Sequence, residues 1–357
     1  IDDSRNIVNA GIVTATTFSG DGSALTGVGF NQDADGNLFA GSNAGGSYDP
    51  SGSDNACFNI FLGCCSGKDL TTGDSNIFLG KLSGESITSG EGNIFLGTYA
   101  GVDNTTGNNS IYLGVSAGAN YTGSYNIAFG REAGAGVDGS ATGTKNIAIG
   151  CEAGKSGTSG GENIYMGSSA GKCTSSGCYN TFLGESAGRC NTTGSCIVAI
   201  GPSAASNGTA ACNSVFIGGN AGRESRGENG VMVGYNAGYY RCTGDSNVLI
   251  GYYSGLGSSS DISVNTGSNN IFMGKYSGCR LTSGSSNVFI GLCAGGGDCV
   301  TGSHNVFLGS NAGIGVTTAG CNVFIGKDSG RSVKCQGENV FIGCYAGKCA
   351  SQGGVII

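Results

Sequence analysis

Tryptophan is absent from this 357-residue chain, histidine occurs once (His304), proline twice (Pro50, Pro202), and charged residues make up only 11%. A single imidazole leaves no room for most Ser-His-Asp or Cys-His machinery. With one histidine and no Cys-x-x-Cys, zinc and iron–sulfur knots lack their ligands, so no cofactor or metal is expected. Two prolines and no Gly-X-Y period exclude collagen, although glycine is 72 of 357 residues. No apolar run approaches the length that spans a bilayer. The net charge is −7, and no stretch concentrates Lys and Arg as a nucleic-acid groove requires. The 24 acidic residues do not align by repeat, as a polysaccharide-degrading solenoid would need. Gly150-Cys151-Glu152-Ala153-Gly154-Lys155-Ser156 has three residues between its glycines where a phosphate loop has four, and it coincides with the repeat. No catalytic residue emerges, and the expectation is a protein that is not an enzyme.

What the chain has is repetition. Asn-(Ile/Val)-Phe-(Leu/Ile)-Gly-x-x-(Ala/Ser)-Gly recurs about every 17 residues, in eighteen copies whose first glycines run from Gly41 to Gly343. A unit this short cannot bury its own apolar side chains and must lean on its neighbours. With that first glycine as position zero, −3 is nearly always Ile or Val and −1 nearly always Leu or Ile, which suits a strand. Position +3 is small, +4 is Gly in every copy but one (Ala205), and −4 is Asn in fourteen of eighteen. Glycines at fixed offsets mark corners where positive φ is needed, and a stacked Asn column can bond amide to amide along an axis. These features predict an all-β fold, a parallel β-helix (β-solenoid) of about 17-residue coils over 37–357, preceded by an extended β linker over 1–36. Eighteen rungs at about 4.8 Å make a rod roughly 85 Å long. The handedness stays open.

Alternation along the strand places −3 and −1 on one face and −2 on the other. With −3 and −1 assigned to the interior, −2 becomes an outward aromatic column: Phe39, Phe61, Phe78, Phe95, Tyr112, Tyr165, Phe182, Phe216, Phe272, Phe289, Phe307, Phe324 and Phe341. Exposed in a line, these rings would present on the order of 1,000 Å², beyond what soluble monomers show. The expected cover is the same column on sister chains, in a parallel homotrimer. The alternative is a coil wide enough to hold the rings inside. Ala128, Ala148 and Ala199 interrupt the column.

Seventeen cysteines suggest disulfide staples and an oxidising, extracellular setting. Cys173 and Cys178, Cys190 and Cys196, Cys293 and Cys299, and Cys344 and Cys349 lie five or six apart, and Cys173 sits one coil from Cys190. Connectivity is open. Asn-x-Ser/Thr acceptors occur at Asn104, Asn108, Asn120, Asn191 and Asn207. The stretches 47–58, 135–142 and 257–266 lengthen the repeat and are candidate receptor- or glycan-contacting loops. The chain opens on Ile1 with no signal peptide, which points to a start inside a longer or processed product.

The opening Ile1–Gly27, with Gly11-Ile-Val-Thr-Ala-Thr-Thr-Phe-Ser-Gly-Asp-Gly22, resembles the short β-rich linkers of marine cyanophage-type tail-fibre proteins. The Asn-Ile-Phe-Leu-Gly-x-x-Ser-Gly copies resemble the Gly-rich repeats of such fibres. They are also similar to the shorter Asn-Ser-Val-Ala-Ile-Gly units of trimeric autotransporter heads, which carry Ala where this chain has Phe. The resemblance implies a structural appendage, extracellular or on a virion, that self-associates and reaches a host surface receptor or glycan. Two other readings stay open. Thr and Ser near +8 and +9 could form an ice- or surface-binding hydroxyl array. Alternatively, subunits could stack end to end into a filament through the tail Gly353–Ile357 or the strand Ile7–Phe18, since no polar cap is evident at either end.

Overall fold

A computed structural model describes residues 33–49, 56–137, 141–209, 211–240, 243–258, 265–297, 301–348 and 354–356. The chain divides into two units, Ile1–Asn31 and Gln32–Ile357. The first unit, with the proposed linker strand Ile7–Phe18, lies outside the described residues. So do residues 50–55, 138–140 and 259–264, which fall within the three longer repeat steps.

Every copy of the motif supplies one three-residue strand, from β1 (Leu38–Ala40) and β2 (Ile60–Leu62) through β18 (Val340–Ile342), and a two-residue β19 (Val355–Ile356) follows. Successive strands pair in parallel and in register, so that Ile77, Phe78 and Leu79 lie over Ile94, Phe95 and Leu96. The corners stack as well: the Gly84 N–H donates to the Ala100 carbonyl at 2.9 Å, and the Thr71 N–H to that of Thr88 at 2.8 Å. No helix occurs among the described elements. The parallel β-solenoid with coils of about 17 residues is the observed fold.

The inside and outside of the strand are the reverse of the sequence expectation. Phe61, Phe78, Phe95, Tyr112, Tyr165, Phe182, Phe216, Phe272, Phe289, Phe307, Phe324 and Phe341 are all buried within the single chain, most of them completely. Phe39, on the first rung, is half-buried. The flanking −3 and −1 side chains face outward. The reason is the width of the coil. Four tight bends per turn leave space for one large side chain per strand, and the middle residue of three takes it. The ring then needs floor space, which Gly at +4 supplies. A Cβ on Gly101 (φ +59) would sit 2.6 Å from Cε2 of Phe95. The rings stack with centroids 4.8 Å apart for Phe61–Phe78 and 4.6 Å for Phe289–Phe307, their planes nearly parallel. That spacing equals the distance between rungs, so strand pairing sets the aromatic stack at a favourable separation. The aromatic column is therefore the core of one chain, not the interface between chains.

The Asn column at −4 shares the parity of −2 and is buried beside it. In most links the Asn of one rung donates backbone N–H and Nδ2 to the Oδ1 of the Asn on the preceding rung, as Asn76 does to Asn59 at 2.9 and 3.1 Å. Its Nδ2 also donates to a glycine carbonyl, Gly90 for Asn76 at 2.8 Å. Buried amides satisfied on every atom fix the register of the stack. The ladder has ends, and both are closed in cis. Before the first rung, Asp33 Oδ1 accepts the Asn37 N–H at 2.7 Å and Asp33 Oδ2 accepts Asn37 Nδ2 at 3.1 Å. Asp33 thus stands where the Oδ1 of a preceding Asn would be. After the last rung, the Gly354 N–H donates to Asn339 Oδ1 at 2.7 Å, and β19 pairs with β18. Val355 and Ile356, within one of the two segments considered for docking onto a neighbour, thus add a rung to their own chain, and Asp33 is a polar cap where none was evident.

The interruptions in the aromatic column are compensated locally. At Ala128 and Ala148 the buried ring of Tyr121 enters from the opposite wall. A cavity of about 20 Å³ remains between them, enough for one water. At Ala199 the compensation is on the same rung, because Ala205 replaces the +4 glycine and both are buried.

Candidate interaction surface

The outward columns make the most distinctive surface of the molecule. Over eighteen rungs, the −3 and −1 positions present thirty-six side chains, of which only Thr181 is polar and none is charged. They are half-buried by their neighbours in the stack, and Met166, Ile271, Met273 and Ile290 reach about two-fifths exposure. Together they expose on the order of 1,000–2,000 Å² in one flat strip, several times the largest apolar patch usual on a soluble monomer. β-Branched and long aliphatic residues suit both a strand and a contact, so composition alone does not say which function selected them. A strand that is apolar on its inner and outer faces reads as one covered on both. Aromatics stand at the border of the strip: Phe58, Tyr125 and Tyr179, each just before a strand, are more than half exposed.

Charge is sparse and works between rungs. Lys155 bridges Glu132 and Glu152, and Lys172 bonds Glu152 from the next rung at 2.7 Å. Hydrogen bonds from Lys172 and Lys155 hold the Glu152 carboxyl down to about 2, and Lys155 lowers Glu132 in the same way. The segment that looked like a truncated phosphate loop is this corner. Its lysine is engaged by two carboxylates.

The cysteines do not behave as staples. All fourteen described cysteines are thiols, including the expected pairs Cys173/Cys178 and Cys190/Cys196. Cys293 and Cys344 are also thiols, and their expected partners Cys299 and Cys349 lie outside the described residues. Cys173 and Cys190 occupy the +6 corner of their copies, whereas Cys178 and Cys196 precede the next strand. Five or six residues of separation thus carry the second thiol around to another side of the coil. Cys173 faces Cys190 on the next rung instead, and burial raises its thiol above the usual range. Among the described residues no group of His, Cys, Asp or Glu could hold a metal ion.

The Thr/Ser column at +8 also serves the stack. The hydroxyls of Thr71, Thr158, Ser175 and Thr192 donate to the backbone carbonyl of the following rung at 2.9–3.0 Å. Their protons are committed to the rod. A second surface feature, absent from the sequence reading, lies on the +1 to +6 corner between Gly234 and Gly278. Tyr235, Tyr252, Tyr253 and Tyr276 pack ring to ring there, with Lys275 over two of them. Reading the +1 and +2 columns down the repeat would have found it.

No protein-family model matches the chain, and no curated protein matches it.

Proposed function

We propose that this chain is a structural rod that assembles side by side through the outer face of its sheet, as a component of an extracellular or virion fibre serving surface attachment. The observation that carries this is the uncharged aliphatic strip along all eighteen strands. A second copy of the same strip is its natural cover, since flat apolar faces of equal length and rung spacing match each other along their whole extent. Closed homo-oligomers, among them the trimer, bury such a patch symmetrically. The resemblance of the repeats and linker to tail-fibre segments supports the same setting. A rod of this kind has no need of catalytic groups, and we assign it none. End-to-end stacking of subunits into a filament is the alternative reading, and the Asp33 carboxylate that fills the Asn ladder before the first rung is the observation against it at that end.

Native mass measurement with negative-stain imaging tests the reading. Discrete particles containing a small whole number of 35.2 kDa chains are expected. Leu113→Glu together with Ile149→Lys, both on the outer face, should release single chains whose circular dichroism is unchanged. A wild-type protein that is monomeric at micromolar concentration would refute lateral assembly.

A further inference from the structure

The tyrosine corner and the groove beside it suggest a ligand. Tyr235 and Tyr252 are exposed and stacked, with ring centroids 5.7 Å apart, and the Tyr276 ring stands edge-on to Tyr252 at the same distance. The stacking of rungs has brought residues distant in sequence into one aromatic cluster that offers both ring faces and ring edges. Lys275 lies 5.4 Å from the centroids of both Tyr252 and Tyr276, which holds a cation at the surface of the cluster. From Tyr276 the surface continues into an open groove of about 580 Å³, lined also by Arg280, Thr317 and Lys334. This size is within the range of ligand sites.

Charge along the chain points the same way. After Gly274 there are six Lys and Arg against three Asp and Glu, in a chain whose net charge is −7. Its charged lining residues therefore lie in the cationic C-terminal quarter of an acidic sequence. Aromatic faces take the apolar faces of sugars, and a lysine and an arginine take carboxylates or sulfates. A nucleic acid would need a longer basic stripe than three cations.

We propose that Tyr235, Tyr252, Tyr276 and Lys275, with the adjoining Arg280–Lys334 groove, bind an anionic polysaccharide of the uronate class. None of these residues belongs to the −3 and −1 columns of the aliphatic strip, so the two proposals are tested with different variants. Affinity electrophoresis in gels containing alginate or dextran tests it. The full chain and the single-chain Leu113→Glu/Ile149→Lys variant are run in parallel. Alginate should retard both, less so as salt is raised, and dextran should retard neither. Tyr235→Ala with Tyr252→Ala, and separately Lys275→Met, should each weaken retardation by at least about tenfold, with circular dichroism unchanged. Tyr276 has positive φ (58°), so Tyr276→Asn is the variant there that preserves the backbone. The proposal is overturned if alginate retards neither protein, if dextran retards them equally, if the tyrosine variants migrate like their parent, or if oligo-dT binds more tightly than alginate. A wild-type chain that is monomeric and still retarded by alginate would count against lateral assembly alone.

Discussion

The pairing of an aromatic at −2 with glycine at +4 can be tested as a thermodynamic cycle on one rung. Phe95 is fully buried, and its removal in Phe95→Ala should cost about 3–5 kcal/mol. Gly101→Ala should cost about 1–2 kcal/mol for placing a Cβ at φ +59. It should cost about another 1–3 kcal/mol for the overlap with the Phe95 ring 2.6 Å away. Added independently, the two changes would destabilise the rod by about 5–10 kcal/mol. The double variant should instead lose only the ring and the backbone preference, about 4–7 kcal/mol, because with no ring there is no overlap. The expected coupling is therefore about 1–3 kcal/mol in favour of the pair. The native protein already contains this double change on another rung. Ala199 and Ala205 stand together, with Ala205 at φ 50°. Urea unfolding of the parent, both single variants and the double, followed by far-UV circular dichroism, measures the cycle. Additive energies, or a Gly101→Ala variant as stable as the parent, would refute the argument that the ring packs on that glycine.

Three further outcomes are expected. Asn93 accepts the Ser110 N–H at 2.9 Å and donates to Asn76 Oδ1 and the Gly107 carbonyl at 3.1 and 2.8 Å, so Asn93→Ala should cost about 2–4 kcal/mol in the same unfolding assay. Asn93→Ser should cost clearly less, since Ser110 natively fills this column and its Oγ accepts the Asn126 N–H at 3.1 Å; equal losses would contradict the ladder account. Because the Glu152 carboxyl is held at about 2 against an ordinary 4.5, its contribution is complete above about pH 4.5 and is lost as pH falls toward 2. The melting-temperature gap between the parent and Glu152→Gln should therefore close over that window, and a gap independent of pH would discount the Lys155–Glu152–Lys172 clamp. Asp33→Ala should speed amide exchange at Asn37 by roughly tenfold or more while strands beyond the fifth rung stay protected; loss of protection along the whole rod would mean that Asp33 does more than cap.

Much of this fold is legible in the sequence, because a solenoid writes its geometry once per turn. The period, the strand, the glycine corners and the Asn column all follow from columns of identical residues. The strand's facing was misread because alternation defines two faces without saying which is inner. Two residues settle it. Asn at −4 has the parity of Phe at −2, and an amide ladder of that regularity belongs inside. The sole loss of the +4 glycine, at Ala205, falls on a rung whose aromatic is also lost, at Ala199, which is the signature of two groups sharing one volume. The Asp33 cap was invisible because it lies outside the repeat and works through a local turn. The tyrosine corner was overlooked because +1 and +2 are the least uniform columns, and only rung stacking brings Tyr235 beside Tyr252.

Inverting the strand moves the assembly argument to other residues without removing it. Had the outer columns been polar, a buried Phe stack would have made the single chain self-sufficient, and nothing would call for a partner. They are apolar at every position except Thr181, so the sheet is apolar on both faces and one of them is still uncovered. Before the first rung, Asp33 fills the place that a neighbour's Asn would take in the ladder, which tells against stacking at that end. Under the lateral assembly proposed above, a second copy of the strip would bury this apolar surface, and the tyrosines at +1 and +2 lie outside the two columns it would cover.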